Sequence, residues 1–208
     1  MIDLGFTVTA FVTLFVIIDP VGMAPVFVAL TSGMDSGHRR AVALRAVGIG
    51  ALLLTLFGLF GEAVLGFVGI TMPAFRIAGG VLLFLTALDM LFDRRTQRRQ
   101  DQSAPAEDPS VFPLATPLIA GPGAIATMIL LVGQAGGEWQ SVAMVHGVML
   151  IVLMATLTLF LAAPLIERAL GDTGVNVVTR LLGMLLAALS VQFVLDGLRA
   201  VGVVSAPA

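Results

Sequence analysis

Cysteine is absent from this chain of 208 residues, and charged residues are scarce. The lack of thiols excludes disulfides, a thiolate nucleophile and cysteine-ligated metal or iron–sulfur clusters. Charged residues make up 12% of the chain, against about 25% in soluble domains. Hydrophobic residues make up 58%, and the mean hydropathy is +1.05. This composition excludes an ordinary soluble domain and indicates a membrane protein with several spans.

Motifs for catalysis and for nucleotide binding are also missing. There is no Gly-x-Ser-x-Gly elbow, no base beside a candidate nucleophile and no P-loop. The two histidines, His38 and His146, are too far apart in sequence to form a metal-ligand motif. The arginine-rich segment 94–99 fits a membrane surface better than nucleic acid. We therefore expect a protein that is not an enzyme and that has no metal, cofactor or nucleic-acid partner.

Apolar runs predict six membrane spans. Each has close to the roughly 20 apolar residues that cross a bilayer. They cover residues 4–30, 41–67, 75–92, 111–132, 140–166 and 177–198. The N-terminus lacks the basic region of a cleaved signal peptide, so we expect the first span to be retained. A polar linker at 93–110 divides a first three-helix repeat, 1–92, from a second, 111–208, within one membrane domain.

The positions of the arginines predict the orientation of the spans. If the spans alternate, Arg76 and Arg199 lie on one side and the other nine arginines lie on the opposite side. The positive-inside rule places the arginine-rich side in the cytoplasm. The loops containing Arg39 and Arg94 are then cytoplasmic, and both termini face outward.

Two of the apolar runs contain residues that cannot continue a regular helix. The stretch Asp19-Pro20-Val21-Gly22-Met23-Ala24-Pro25 interrupts the first span, and residues 117–123 interrupt the fourth. Proline has no amide proton, so backbone groups are released that lipid cannot satisfy. Such breaks must face protein or a polar cavity. Broken helices at matching positions in two halves are typical of the binding site of a transporter.

The two halves resemble each other in sequence. Matched positions include a proline at each break and an arginine and a glycine in the third span of each half: Pro20 with Pro122, Arg76 with Arg180, and Gly79 with Gly183. Because three spans is an odd number, the second copy must be inverted. The predicted fold is an all-α membrane protein of six helices in two inverted three-helix repeats, with spans one and four broken near the midplane.

The two breaks differ in charge. Asp19 before Pro20 has the form of a helix N-cap, and it either only caps a half-helix or also presents an oxygen to a ligand. The matching Gly121 has no carboxylate, so the amides that follow it are free for an anion. Together they are complementary to a zwitterion. The predicted substrate-binding residues are Asp19, Pro20, Gly22, Met23, Gly121, Pro122, Gly123 and Ala124.

Small and polar residues in spans three and six are candidates for a substrate pathway. They are Gly79, Gly80, Thr86, Gly183, Ser190 and Gln192. The glycines either line the pathway or let helices pack closely, and close packing is their usual role in membranes. The polar side chains either line the pathway or form contacts between helices. For His146, a bond to a backbone carbonyl is favoured over a proton relay.

One set of motifs occurs in order along the chain: Asp19-Pro20-Val21-Gly22, then 76–80 with 88–92, then 117–124. In these motifs, and over nearly its whole length, the chain resembles the MarC family of bacterial inner-membrane proteins. The resemblance implies six spans in two inverted repeats and a distant relation to the lysine-exporter superfamily. It also implies outward transport of small neutral amino acids such as glycine and alanine. Family members commonly have Asn where this chain has Met23. The methionine therefore removes a polar group from this position.

These inferences together predict a secondary transporter in the inner membrane. It would export small neutral amino acids by alternating access between the two repeats, coupled to protons or to sodium. Asp19 would bind the substrate ammonium or a coupling proton, and the amides after Gly121 would bind the carboxylate. The alternative is a membrane protein with a structural or signalling role, in which the breaks are only kinks.

Overall fold

The computed structural model describes residues 4–31, 33–92, 108–136 and 138–203, with residues 164–170 and 172 described by their backbone alone. Most of the predicted linker, including Arg94, lies outside these ranges. Within them the chain forms helices and no strands. The helices are α1 (Leu4–Ile18), α2 (Pro20–Leu30), α3 (Ser36–Val68), α4 (Met72–Leu91), α5 (Ser110–Ile119), α6 (Pro122–Gln134), α7 (Trp139–Leu161) and α8 (Ala163–Ala200).

The predicted class, an all-helical membrane protein, is confirmed. Five helical stretches in the described part of the chain are long and apolar enough to cross a membrane, and α5 with α6 makes a sixth if this bent pair is one span. The five are Leu4–Leu30, Ser36–Val68, Met72–Leu91, Trp139–Leu161 and Thr173–Ala200. Their bounds differ from the predicted ones by a few residues.

Helix α3 begins five residues before the predicted start at 41, because Asp35 caps it. The Asp35 carboxylate accepts hydrogen bonds from the amides of Gly37 (2.9 Å) and His38 (3.0 Å). These bonds, that from His38 above all, hold the pKa of Asp35 below its ordinary value. The polar first turn of α3 is therefore helical although it is not apolar, which is why hydropathy alone missed it.

Helix α5 is irregular because of its prolines. Phe112 (φ −129°, ψ 124°) and Thr116 (φ −131°, ψ 122°) have extended backbones inside wide, π-type turns. Each of them precedes a proline, whose ring disfavours the helical conformation of the residue before it. Helix α5 then meets α6 at an angle of 52°.

Asp108 ties the start of α5 to α3. Its carboxylate accepts hydrogen bonds from the Ser110 hydroxyl (2.6 Å) and amide (3.0 Å), and it forms an ion pair with Arg45. These bonds, those from Ser110 first, hold the pKa of Asp108 below its ordinary value of 3.8. Their stabilisation is present above this value and is lost as the pH falls below it. The ion pair is exposed, so its share is at most about 1 kcal/mol.

Helices α4 and α8 form the most extensive contact between helices. They run antiparallel, because Gly80 lies against Ser190 and Val194 while Gly183 lies against Ala87 and Met90. A methyl group at Gly80 would stand 2.8 Å from the Ser190 carbonyl oxygen. Glycine at these crossings lets the two backbones approach closely.

Replacing Gly80 by Ala is expected to lower the melting temperature of the purified protein. The added methyl would collide with the α8 backbone, which cannot yield as a side chain tip can, and overpacking of this kind costs about 1–3 kcal/mol. Gly147→Ala is the matched control, because a methyl group there meets no atom within 4 Å. Alanine in this open helical position should stabilise by about 0.5–1 kcal/mol. Equal effects of the two changes would contradict the close α4–α8 contact.

Candidate functional site

The first helix interruption is a single residue, Asp19. Its backbone is left-handed (φ 55°, ψ 64°), which is uncommon for a residue other than glycine and ends α1 at Ile18. The side chain is fully buried, and its Oδ1 accepts a hydrogen bond of 3.1 Å from the Gly22 amide. Asp19 is therefore the N-cap of α2, and Pro20 occupies the first helical position. Its role in binding a ligand stays a prediction.

A buried hydroxyl faces the same turn as the Asp19 carboxylate. A side chain added at Gly22 would overlap the carboxylate and would stand 2.9 Å from Oγ1 of Thr179 on α8. Thr179 is 4% exposed, and its hydroxyl has no hydrogen-bond partner among the described residues. Sequence reasoning missed this residue. The available signal was its place directly before Arg180, where the first half has Phe75 before Arg76.

The second interruption has no side-chain cap. Gly121 is the N-cap of α6, Pro122 follows at the first helical position, and no side chain of the described residues caps this first turn. A side chain on Gly121 would overlap the Pro117 carbonyl, so the turn requires glycine. The positive end of the α6 dipole therefore lies at Gly121, and the first amides of α6 have no hydrogen bond to a side chain of the described residues.

The structure brings the two interruptions together. A methyl group at Gly123 would stand 2.8 Å from Cδ1 of Ile17, which lies two residues before Asp19, and 3.6 Å from Leu83 on α4. Ala124 is 3% exposed, and Met23 is fully buried in the core beside the first interruption. The start of α6 thus packs against the end of α1. Among the predicted binding residues, Pro122 is the exposed one.

The predicted pathway residues make contacts within and between helices. A methyl group at Gly79 would stand 2.8 Å from Cδ1 of Leu130 on α6, so this glycine allows a close contact with α6. The hydroxyl of Thr86 donates to the Leu82 carbonyl (2.9 Å), and that of Ser190 donates to the Ala187 carbonyl (2.7 Å). The exposed amide of Gln192 donates to Asp196 on its own helix (2.8 Å), which also accepts from Arg199 (2.9 Å). The three polar groups are thus bonded within their own helices, and a pathway role stays a prediction.

Two stacked rings join α2 to α7 beyond Asp19. Phe27 and Phe160 are both fully buried, with ring centroids 4.5 Å apart and planes 2° from parallel. Phe27 lies eight residues beyond Asp19, about 12 Å along a helix. The Arg39 guanidinium lies over the Phe27 ring, 5.4 Å from its centroid, and its NH2 has no partner within the described ranges.

His146 lies between α7 and α3. Its Nδ1 is 2.8 Å from the Val142 carbonyl oxygen, the geometry that the backbone-bonded interpretation predicts. Its Nε2 faces Gly58 of α3 and has no hydrogen-bond partner in the described part of the chain. Beside it lies a groove of about 560 Å³ that is mostly apolar. Its residues are Thr55, Leu59, Trp139, Val142, Ala143, His146, Met149 and Leu150.

Comparison with known proteins supports the resemblance carried by these motifs. The family described as MarC family integral membrane protein matches residues 4–201. The chain belongs to the MarC family. It is therefore a multi-pass integral membrane protein, as its composition predicts.

Relatives of this MarC protein match it over nearly their whole length. A UPF0056 membrane protein from Archaeoglobus fulgidus is 39% identical over 199 residues, which cover 94% of this chain and 93% of the relative. In Escherichia coli, the UPF0056 membrane protein YhcE is 34% identical (92% and 91% covered), and so is the UPF0056 inner membrane protein YhgN (92% and 95%). No solved structure matches the chain significantly. These names support an inner-membrane location and specify no substrate.

Proposed function

We propose that this MarC protein is a secondary transporter that exports small neutral amino acids, such as glycine and alanine, across the inner membrane by alternating access. The observation that carries the proposal is the close approach of two unlike helix interruptions. One holds the buried Asp19 carboxylate, and the other is the uncapped start of α6 at Gly121. The contact between Gly123 and Ile17 joins them.

The chemistry of this pair is complementary to a zwitterion. The substrate ammonium would lie at Asp19, because a buried carboxylate forms strong charge-assisted bonds with it. The substrate carboxylate would lie at the amides of Gly123 and Ala124, where the helix dipole favours an anion. The small residues Gly22, Gly123 and Ala124 around the two interruptions would admit only a small substrate side chain. No covalent step is required, and the protein would act without enzymatic chemistry.

The contacts between helices support two inverted repeats. In the two halves α2 corresponds to α6, α3 to α7 and α4 to α8. The α2–α7 contact therefore corresponds to α6–α3, and the α2–α8 contact to α6–α4, and all four contacts occur. The α4–α8 contact converts into itself, and these helices are antiparallel, as inversion requires. In this arrangement both interruptions would lie near the bilayer midplane.

The stacked pair of Phe27 and Phe160 would close the site toward the cytoplasm. Arg39 lies over this stack, and the positive-inside rule places Arg39 on the cytoplasmic side, with both termini outward. Opening would separate α2 from α7 and expose the Asp19 region to cytoplasmic substrate. Coupling to a proton or sodium gradient would drive the change between the two states.

Flux measurements in proteoliposomes test the transport function. We expect purified protein to carry radiolabelled glycine and alanine under an imposed proton or sodium gradient, and leucine far more slowly because the walls are small. Protein-free liposomes are the control for leakage. Absence of glycine and alanine flux under both gradients would refute the proposal and favour a structural or signalling role.

A further inference from the structure

Two of the five buried threonines, Thr127 and Thr179, have a hydroxyl with no hydrogen-bond partner among the described residues, and Thr179 is the one that faces the first turn of α2. Thr13, Thr31 and Thr156 each donate to the carbonyl four residues earlier, at 2.7, 2.7 and 2.9 Å. The Thr179 hydroxyl has no such partner among the described residues, although the residue is 4% exposed. Leaving a buried polar group unpaired is unfavourable, because the group has lost its hydrogen bonds to water. An unpaired group at this depth in a fold requires an explanation, and beside the buried Asp19 carboxylate a bound cationic group supplies one.

The position of this hydroxyl identifies the kind of ligand. It points at the first turn of α2, where the missing side chain of Gly22 lets it approach the Asp19 carboxylate. The last turn of α1 adds a third kind of oxygen. Pro20 has no amide proton, so the Val16 carbonyl does not receive its usual helical bond. The negative end of the α1 dipole lies at the same point.

We propose that Thr179 and Asp19 together form a site for a monovalent cationic group, either the ammonium of the substrate or an alkali cation that drives transport. The inference rests on the proposed function and adds Thr179 to its site. The donor set consists of oxygens, which suit hard cations. An ammonium group has three protons and no acceptor, so a carboxylate, a hydroxyl and a carbonyl satisfy it fully.

The matching position of the second half agrees with this assignment. Phe75 stands there in place of Thr179, and Gly121 stands in place of Asp19. The second interruption therefore lacks both side-chain oxygens at these positions and keeps only amides for an anion. The Thr179 hydroxyl and the Asp19 charge thus belong to the same interruption, the first one.

Substitution of Thr179 tests the site in the full-length protein. Thr179→Val has nearly the same shape and lacks the hydroxyl, whereas Thr179→Ser keeps it. Thr156→Val is the matched control, because Thr156 is fully buried and bonds only to its own helix. Thr179→Ala provides the same comparison if valine prevents folding. We would measure the melting temperature in detergent with glycine, and with sodium chloride against choline chloride, and then the flux in proteoliposomes.

We expect Thr179→Val to lose the stabilisation by ligand and to raise the half-saturating ligand concentration about ten-fold, with the maximal rate little changed. Thr179→Ser and Thr156→Val should behave as wild type. An effect confined to glycine identifies the substrate ammonium, and an effect confined to sodium identifies an alkali cation.

Two outcomes separate this inference from the proposed function. Wild-type flux with an unaltered Thr179→Val variant would overturn the role of Thr179 alone. Absence of flux would overturn the transport function. The cation site would still stand in that case if sodium or glycine stabilised the wild type and not Thr179→Val.

Discussion

Replacing Asp19 by Asn is expected to reduce glycine and alanine transport by about 100-fold or more while leaving the protein folded, since charge-assisted bonds to a buried ammonium are the strong ones. Asparagine caps a helix as well as aspartate does. It also tolerates the left-handed backbone that Asp19 adopts at φ 55°. The substitution therefore removes the negative charge and keeps the local structure. Initial rates in proteoliposomes, at equal amounts of reconstituted protein, measure the effect.

The same substitution at another cap is the control. Asp35 caps α3 through hydrogen bonds to the Gly37 and His38 amides, and it is exposed. Asp35→Asn should leave transport unchanged, because the cap is kept and no ligand is expected there. If Asp19→Asn transported at the wild-type rate, Asp19 would be a helix cap only. The binding site would then have to lie elsewhere.

The membrane class was predictable because its cause is local. A bilayer requires long apolar helices, so hydropathy alone locates most of them. The proline after Asp19 fixes the start of α2, but the interruption predicted over 19–25 is reduced to Asp19 alone, because Pro20–Leu30 is helical with Pro25 inside it. The polar first turn of α3 was missed because its stability comes from the Asp35 cap and from no apolar residue.

The surroundings of the site were not predictable because they depend on contacts across the whole chain. Thr179 lies 160 positions after Asp19, and no periodicity links them. Phe27 and Phe160 read as ordinary apolar residues until the packing of α2 on α7 stacks their rings. The role of Gly80 was open for the same reason, and the contact with α8 supplies the packing constraint. Side-chain pairs of this kind follow from helix geometry that a linear pattern does not contain.

Replacing Gly123 by Ala is expected to slow transport by about ten-fold, and replacing Ile17 by Val in the same protein is expected to restore most of it. The added methyl would stand 2.8 Å from Cδ1 of Ile17. Overpacking of this size costs about 1–3 kcal/mol, and it would push the start of α6 away from the end of α1. Valine lacks the Cδ1 methyl, so the double variant loses the closest contact and keeps only the approach of Cγ1 at 3.1 Å, which a shift of a few tenths of an ångström relieves. Initial rates and melting temperatures of the four proteins form a double-mutant cycle.

The cycle decides whether the two interruptions act as one site. A coupling between Gly123 and Ile17 in the transport rate means that the spacing of α1 and α6 limits function, because Asp19 and the α6 amides must reach opposite ends of one small substrate. The Gly147→Ala change, at a helical glycine with open space, serves as the control for added methyl groups in general. If the rates of Gly123→Ala and the double variant were equally low, the loss would not come from this contact. If only the melting temperatures were coupled, the contact would serve the fold and not the transport step.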